Sequence, residues 1–237
     1  MLSVLKDKKY QVLESVSSTN DYIKDKDLFC VIAKEQTGGK GTNNRSFFSP
    51  SGGIYLSVKL PLNLSGNDFL FLTPLVAVIT ANAIDKVASV KTEIKWVNDL
   101  ILGGKKLGGI LCESKIVKDK TEVIIGVGIN VKSQNFPSFL KNTPTSLENE
   151  TGQIIDNNRL IAELLSGFES FEERLKSRDF FTEYRDRFFL TDREVSIELN
   201  GETFIGKALG VDDNLGLKVE INGEIKTFIN GFVSVKY

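Results

Sequence analysis

The sequence has 237 residues, of which 41% are hydrophobic and 26% charged, as in an ordinary globular protein. Its 30 basic and 31 acidic residues give a formal net charge of −1, which argues against a function that depends on bulk attraction to nucleic acid. Histidine is absent from the sequence, which excludes Ser-His-Asp and Cys-His catalytic sites and HExxH zinc sites.

The cysteines and the apolar runs bear on location. Cys30 and Cys112 are too few for a disulfide framework, so we expect two buried thiols in a reducing compartment. The first ten residues contain lysines and no apolar signal region. The longest apolar run, residues 69–79, contains a proline and is shorter than a membrane-spanning helix requires. These features predict a cytoplasmic protein without a membrane partner.

The first 130 residues read as strands separated by turns, one polar loop and one long helix. We expect strands at residues 11–14, 29–34, 54–60, 93–97, 100–102, 107–114 and 122–127. Residues 54–60 alternate as a half-buried strand, and the last four strands form a meander, with turns at 103–104 and 118–120. Residues 17–20 are a cluster of good N-caps ahead of a short helix, and a long apolar helix that Asn67 or Asp68 can cap should end near Ala88.

The rest of the sequence predicts two helices, at residues 157–176 and 179–189, and the pattern changes from helical to strand-like near Asp192. Five short strands follow, at residues 195–199, 203–211, 217–221, 224–229 and 232–235. The Asn-Gly turns between them are strong hairpin signals, and the pattern favours a small SH3-like β barrel. We therefore divide the chain into an α+β domain with a mixed sheet flanked by helices, residues 1–190, and a β domain, residues 191–237.

Four segments carry the candidate chemistry. The GKGTNNR loop at residues 39–45 offers cations and free backbone N–H groups to an anion, but it lacks the P-loop pattern. KWVNDL at 95–100 is followed by KLGGIL at 106–111, whose paired glycines predict close approach of another backbone or a ligand. GVGIN at 126–130 ends an apolar strand. Taken alone, each segment is more often an ordinary turn or loop than a site.

Taken together and in this order, the segments resemble those of the biotin–protein ligase family, whose members carry GRGxxxR, KWPNDL, KLxGIL and GxGxN. The Ser-Thr-Asn run at residues 18–20 is similar to the start of that family's biotin-contacting helix. The resemblance covers essentially the whole chain. It implies a class II synthetase-like catalytic domain followed by an SH3-like barrel. The implied enzyme adenylates biotin with ATP and transfers it to a lysine of a biotin carboxyl carrier protein.

The resemblance also implies residue roles. Lys106 is the central cation between the biotin carboxylate and the α-phosphate, Asp99 orients the incoming lysine, and Arg45 lies in the loop that covers the ligand. The implied biotin-binding residues are Ser18, Thr19, Asn20, Gln36, Lys40, Gly41, Thr42, Lys106, Gly108, Gly109 and Gly128. The implied ATP-binding residues are Lys40, Arg45, Trp96, Asn98, Lys106 and Asn130. Mg²⁺ is expected with ATP, and no metal ligand is assigned.

The sequence departs from the family pattern at a few positions. Lys40 and Thr42 stand where the family often has arginine, and lysine lacks the planar fork of arginine, so we expect looser retention of biotinyl-AMP. Val97 replaces a proline. The first motif begins at Ser18, which predicts the single-function form without an N-terminal DNA-binding domain.

Alternatives remain at this stage. A lipoate–protein ligase has a similar domain and mechanism, and a non-catalytic relative could bind biotin or a carrier domain through the same fold. A nucleic-acid module at residues 192–237 is disfavoured, because five basic side chains face eight acidic ones there. The expected carrier belongs to acetyl-CoA carboxylase or a related carboxylase. A homodimer through an edge of the meander stays open.

Overall fold

The computed structural model describes residues 7–117, 120–132, 136–138, 140 and 143–235. Seven strands form the first sheet: β1 (Tyr10–Val16), β2 (Cys30–Gln36), β3 (Ile54–Leu62), β4 (Glu93–Lys95), β5 (Asp99–Leu102), β6 (Lys105–Val117) and β7 (Lys120–Ile129). Their order is β1-β2-β3-β7-β6-β5-β4, with β1 parallel to β2 and the other neighbours antiparallel. The predicted mixed sheet and meander are confirmed. Residues 118 and 119 of the predicted turn lie outside the described residues.

The described helices agree with the sequence pattern in part. They are α1 (Thr19–Ile23), α2 (Asp68–Ala88), α3 (Leu147–Thr151), α4 (Asn157–Ser166), α5 (Phe171–Ser177) and α6 (Phe180–Asp186). Of the cap candidates at residues 17–20, Ser18 caps α1, since its side chain accepts a hydrogen bond from the Asp21 N–H.

The single helix predicted for residues 157–176 is wrong. The chain breaks into α4 and α5 at Gly167, which lies so close to Ile79 of α2 that a Cβ there would overlap that side chain. Phe168 and Phe171, beyond the break, are still buried. The apolar spacing therefore continues across the turn, and periodicity alone could not reveal the break.

Helix α2 is the central helix of the core. The predicted end of the long helix near Ala88 is confirmed. Length and composition alone would let this helix cross a membrane, but 67% of its most apolar 18-residue window is buried inside the fold. A helix that is apolar on most sides and covered by its own chain is typical of a protein core.

The two faces of the seven-stranded sheet are covered differently. α2 and its neighbours cover one face, on which Leu56 and Val127 are buried. The short α1 covers part of the other face, where Ile23 packs with Val31 and Ile124. β3 is therefore buried on both faces over most of its length. The strand predicted at residues 54–60 is present, but the prediction that it is half-buried is wrong. Next to the N-terminal end of α1, the second face is left open for a cavity.

Five antiparallel strands form the second sheet: β8 (Glu194–Leu199), β9 (Glu202–Val211), β10 (Leu217–Ile221), β11 (Glu224–Phe228) and β12 (Phe232–Val235). The predicted strands are confirmed. The barrel is not confirmed, because the order β11-β10-β9-β8-β12 leaves two open edges. Ile197 and Val219 belong to the same buried cluster as α2. The domain boundary at residues 190 and 191 stays a prediction.

Two isoleucines test the role of α2 in the core. Ile84 is 0% exposed and Ile154 is 94% exposed. Ile84→Ala should lower the free energy of unfolding by about 2–5 kcal/mol, because it removes buried methylene groups and leaves a cavity. Ile154→Ala, the matched control, should change it by less than about 0.5 kcal/mol. Urea unfolding followed by circular dichroism measures both, and equal losses would contradict the packing described.

Candidate active site

A cavity of about 930 Å³ opens on the sheet face beside α1. Its walls come from the sheet, the start of α1, the loop at residues 39–47 and the second sheet. The predicted site residues that line it are Ser18, Thr19, Asn20, Gln36, Lys40, Gly41, Thr42, Arg45, Trp96, Asn98, Asp99, Lys106, Gly109, Gly128 and Asn130. The fold thus brings the four sequence motifs together around one space.

Glycines of β6 and β7 form part of the cavity floor. Gly109 of β6 lies opposite Gly128 of β7, and Gly126 lies one pleat further along the same face of β7. A Cβ on Gly128 would come within 2.6 Å of the Phe47 ring, and a Cβ on Gly126 would overlap the Asn20 amide. The missing side chains at Gly126 and Gly128 therefore make room for Asn20 and Phe47, while at Gly109, where a Cβ would meet nothing closer than 3.6 Å, a ligand can approach the strand backbone.

Gly108 is the predicted site residue that the structure does not bring into the cavity lining. A Cβ on Gly108 would overlap the backbone carbonyl of Gly128 on the neighbouring strand, whereas one on Gly109 would meet nothing closer than 3.6 Å. Gly108 is needed for strand-to-strand packing, because successive residues of a strand point to opposite faces. Only the second glycine of the pair faces a ligand space.

Lys106 and Asp99 form an ion pair in the cavity wall. The Lys106 Nζ lies 2.6 Å from Asp99 Oδ1, and the two side chains are 23% and 11% exposed. Lys95 stands close by, and burial holds its pKa below the ordinary lysine value; Asp99 opposes this effect, while Lys106 adds to it. An anion that enters the cavity would compete with Asp99 for the Lys106 ammonium group.

The loop at residues 39–47 closes on itself as a short hairpin. The Phe47 N–H donates to the Gly39 carbonyl at 2.8 Å. Lys40 forms an ion pair with Asp21 of α1, with 2.5 Å between Nζ and Oδ2. This pair holds the pKa of the Asp21 carboxyl below its usual range, Lys40 being the largest cause. The loop cation is thus anchored to α1 at the cavity rim.

Phe232 of β12 is a cavity residue that the sequence analysis missed. The guanidinium carbon of Arg45 lies 3.3 Å from the centroid of the Phe232 ring, a stacked cation–π arrangement. Glu198 and Asn200 of the second sheet line the same wall. Nothing in the sequence separates Phe232 from a core aromatic residue, because its partner is distant in the chain.

A chain of hydrogen bonds supports the end of the cavity next to α1. The Gln36 carboxamide oxygen accepts from the Thr19 N–H at 2.8 Å and from the Thr19 hydroxyl at 3.0 Å. Gln36 Nε2 donates to the Ser49 hydroxyl at 3.0 Å. The Ser57 hydroxyl contacts Thr19 Oγ1 at 2.8 Å. Ser49 and Ser57 were not predicted, since a single serine in a strand or loop gives no pattern.

A further part of the cavity lining comes from the KWVNDL segment and from Asn130 of the GVGIN segment. The Trp96 indole N–H donates to the Leu215 carbonyl of the second sheet at 2.9 Å. The Asn98 side chain donates to a carbonyl of β6 at 3.0 Å. Asn130 donates to the Thr145 carbonyl at 2.9 Å, and its own Oδ1 is buried with no hydrogen-bond partner in the part of the chain that the structure describes. A buried oxygen of this kind is suited to a ligand.

Comparison with known proteins gives consistent matches. A model of the "Biotin/lipoate A/B protein ligase family" matches residues 12–130. The chain is 37% identical over 209 residues to the bifunctional ligase/repressor BirA of Bacillus subtilis, covering 83% of this chain and 62% of that one. It is 30% identical to the biotin–[acetyl-CoA-carboxylase] ligase of Mycobacterium tuberculosis, covering 84% and 76%.

A solved structure shares the fold. The biotin protein ligase of Aquifex aeolicus in complex with biotin and ATP superposes with a TM-score of 0.81 at 25% identity, covering 97% of this chain and 99% of that one. The chain spans about three-fifths of the length of the Bacillus relatives, 62% in each case.

The contrast between Gly108 and Gly109 is testable. Gly108→Ala should lower the free energy of unfolding by about 1–3 kcal/mol, because the new methyl group overlaps backbone that cannot move away without separating β6 from β7. Gly109→Ala, the matched control on the next residue, should be close to wild type, since its methyl group meets ordinary contacts. Thermal and urea unfolding of both variants measures the difference, and an equal effect at the two positions would refute it.

Proposed function

Because the chain belongs to the biotin/lipoate A/B protein ligase family, we propose that it is an ATP-dependent biotin–protein ligase. The observation that carries the proposal is the placement of Lys106. Its ammonium group lines a cavity that has the hydrogen-bonding groups of Thr19 and Gln36 on one wall and those of Trp96 and Asn130 on others. Such a cavity fits an elongated ligand with a polar ring at one end and a nucleotide at the other.

In the proposed first step, a carboxylate oxygen of biotin attacks the α-phosphorus of ATP. A new P–O bond forms, the bond to the β,γ-phosphates breaks, and pyrophosphate leaves. Two anions must meet, so fixed positive charge is needed where they approach each other. Lys106 supplies that charge within the cavity, and Arg45 and Lys40 add to it from the loop.

In the proposed second step, the amine of a carrier lysine attacks the acyl carbon of biotinyl-AMP. An amide C–N bond forms, the C–O bond to AMP breaks, and the amine loses a proton. Asp99 is the acidic side chain that the structure places beside Lys106, so we assign it to orienting the incoming amine and accepting its proton. Transfer of Lys106 from Asp99 to the acyl phosphate would free this carboxylate.

We propose that Mg²⁺ enters with ATP. The described residues contain no group of three or more His, Cys, Asp or Glu side chains that could hold a metal by themselves. Mg²⁺ bound to nucleotides commonly takes its ligands from phosphates and water with one or two protein oxygens, and the free Oδ1 of Asn130 fits such a role. The ion would neutralise charge on the phosphates.

The acceptor in this proposal is the biotin carboxyl carrier protein of acetyl-CoA carboxylase or a related carboxylase, and the reaction takes place in the cytoplasm. The name of the Mycobacterium relative supports the carrier class. We also propose that the second sheet is the SH3-like module implied by the family resemblance. Its five short antiparallel strands support this, and a crystal structure with β11 and β12 far apart would contradict it.

Biotin-dependent exchange of pyrophosphate into ATP tests the proposal. Wild-type protein with Mg²⁺ should catalyse exchange with biotin and not with lipoate. Lys106→Ala should lower the exchange rate by about 10²–10³-fold, because the central positive charge is lost. No exchange in folded wild type would favour a binding-only protein, and exchange with lipoate alone would favour the lipoate alternative.

Lys105→Ala is the matched control for Lys106→Ala. Lys105 is the preceding residue, and its ammonium pairs with Glu150 at 2.8 Å outside the cavity lining. Its exchange rate should stay within about two-fold of wild type, since a surface ion pair contributes little. Equal losses of exchange rate in the two variants would contradict a specific role for Lys106.

The Arg45–Phe232 stack predicts a role for the second sheet in nucleotide binding. Phe232→Leu keeps the apolar side chain but removes the ring beneath the guanidinium. The KM for ATP should rise by about three- to ten-fold, the range expected for losing one cation–π contact. Phe204→Leu, which alters a ring packed at a tilt against Phe228 outside the cavity lining, is the control and should leave KM unchanged. Equal KM values in both variants would show that the stack does not position Arg45.

A further inference from the structure

Asn20 lies at the junction of α1 and the cavity floor, and the residue is 4% exposed. Its Nδ2 donates to Glu113 Oε2 at 2.8 Å and to the Leu111 carbonyl at 3.4 Å. Its Oδ1 contacts the Ser57 hydroxyl at 2.6 Å. Both amide hydrogens are therefore directed at acceptors on β6, while one lone pair of Oδ1 is left beside the cavity.

This arrangement permits one orientation of the amide. A flipped Asn20 would place its oxygen against the Glu113 carboxylate, and repulsion between the two acceptors inside a buried site would be costly. Glu113 is itself held from the other side, because its Oε1 pairs with Lys24 Nζ at 3.0 Å. Lys24 also pairs with Asp21 at 2.9 Å, so the whole group is tied to α1.

We infer that Glu113 is a positioning residue for biotin recognition, acting through Asn20. Its carboxylate fixes the Asn20 amide so that Oδ1 faces the ligand as an acceptor for an N–H of the ureido ring. Glu113 does not line the cavity and acts only through its hydrogen bond. This role rests on the proposed function and extends it to the choice of a ligand that offers N–H donors.

The adjacent strand supplies a control for Glu113. Glu122 of β7 also pairs with a lysine of the sheet, Lys115, at 3.4 Å. The side chains of Glu113 and Glu122 are similarly exposed, 33% and 27%. Glu122 does not contact Asn20, so its removal reports the general effect of losing a carboxylate from this sheet.

The first test compares Glu113→Ala with Glu122→Ala by pyrophosphate exchange. In Glu113→Ala, the KM for biotin should rise by about ten-fold or more, the effect of a lost charge-assisted hydrogen bond, while the KM for ATP stays unchanged. Partial unfolding would lower the apparent kcat of both variants and leave KM alone. Unchanged KM for biotin in Glu113→Ala, with active wild type, would overturn the inference. Inactive wild type would instead count against the proposed function.

The second test reverses the hydrogen bond. Asn20→Asp places a carboxylate against Glu113 and should raise the KM for biotin by at least ten-fold. In the double variant, Asn20→Asp with Glu113→Gln, the introduced glutamine amide can donate to the carboxylate at position 20 and accept from Lys24. The two positions together then carry the same charge as in the wild type. The KM for biotin of the double variant should return most of the way to the wild-type value. The recovery should be incomplete because the weak hydrogen bond to the Leu111 carbonyl is lost. A double variant no better than Asn20→Asp alone would show that orientation of this amide is not what Glu113 provides.

Discussion

The cavity depends on glycines in the paired strands β6 and β7, where the absence of side chains leaves room on the sheet face. Gly109, Gly126 and Gly128 carry no side chains on the cavity face of the sheet, and Gly108 lets the two strands pair where the opposite face meets the core. Other parts of the site are arranged around this floor. Phe47 from the loop and Asn20 from α1 occupy the volume that side chains on β7 would have filled.

Charge is the second constraint on the site. Lys95, Lys106 and Arg45 act on one another inside a partly desolvated space, and Asp99 is the carboxylate that offsets them. Without a ligand, one carboxylate faces three cations, so the group keeps an excess of positive charge. A bound phosphate would take over the role of Asp99 towards the cations, so the same residues serve to stabilise the empty protein and to attract an anion. Without histidine, charge of this kind is the main catalytic resource that the sequence offers.

The sequence predicted the floor and the cations well because they lie in continuous motifs. Gly109, Lys106 and Asp99 each lie in a short run that becomes recognisable when the runs are read together and in order. Glu113 and Phe232 were not predictable, because each matters through one contact with a residue far away in the chain. The break between α4 and α5 was missed for a related reason: Gly167, where it falls, lies against Ile79 of α2, and no local pattern records that contact.

The hydrogen bond from Trp96 to the Leu215 carbonyl joins the cavity wall to the second sheet. Any molecule held between Arg45, Phe232 and Trp96 touches both parts of the chain. Its binding free energy must then add to the stability of their contact, by thermodynamic linkage. Amide hydrogen exchange in β10 should therefore slow as the cavity fills, so the second sheet would report occupancy of a site whose principal ionic groups lie on other strands.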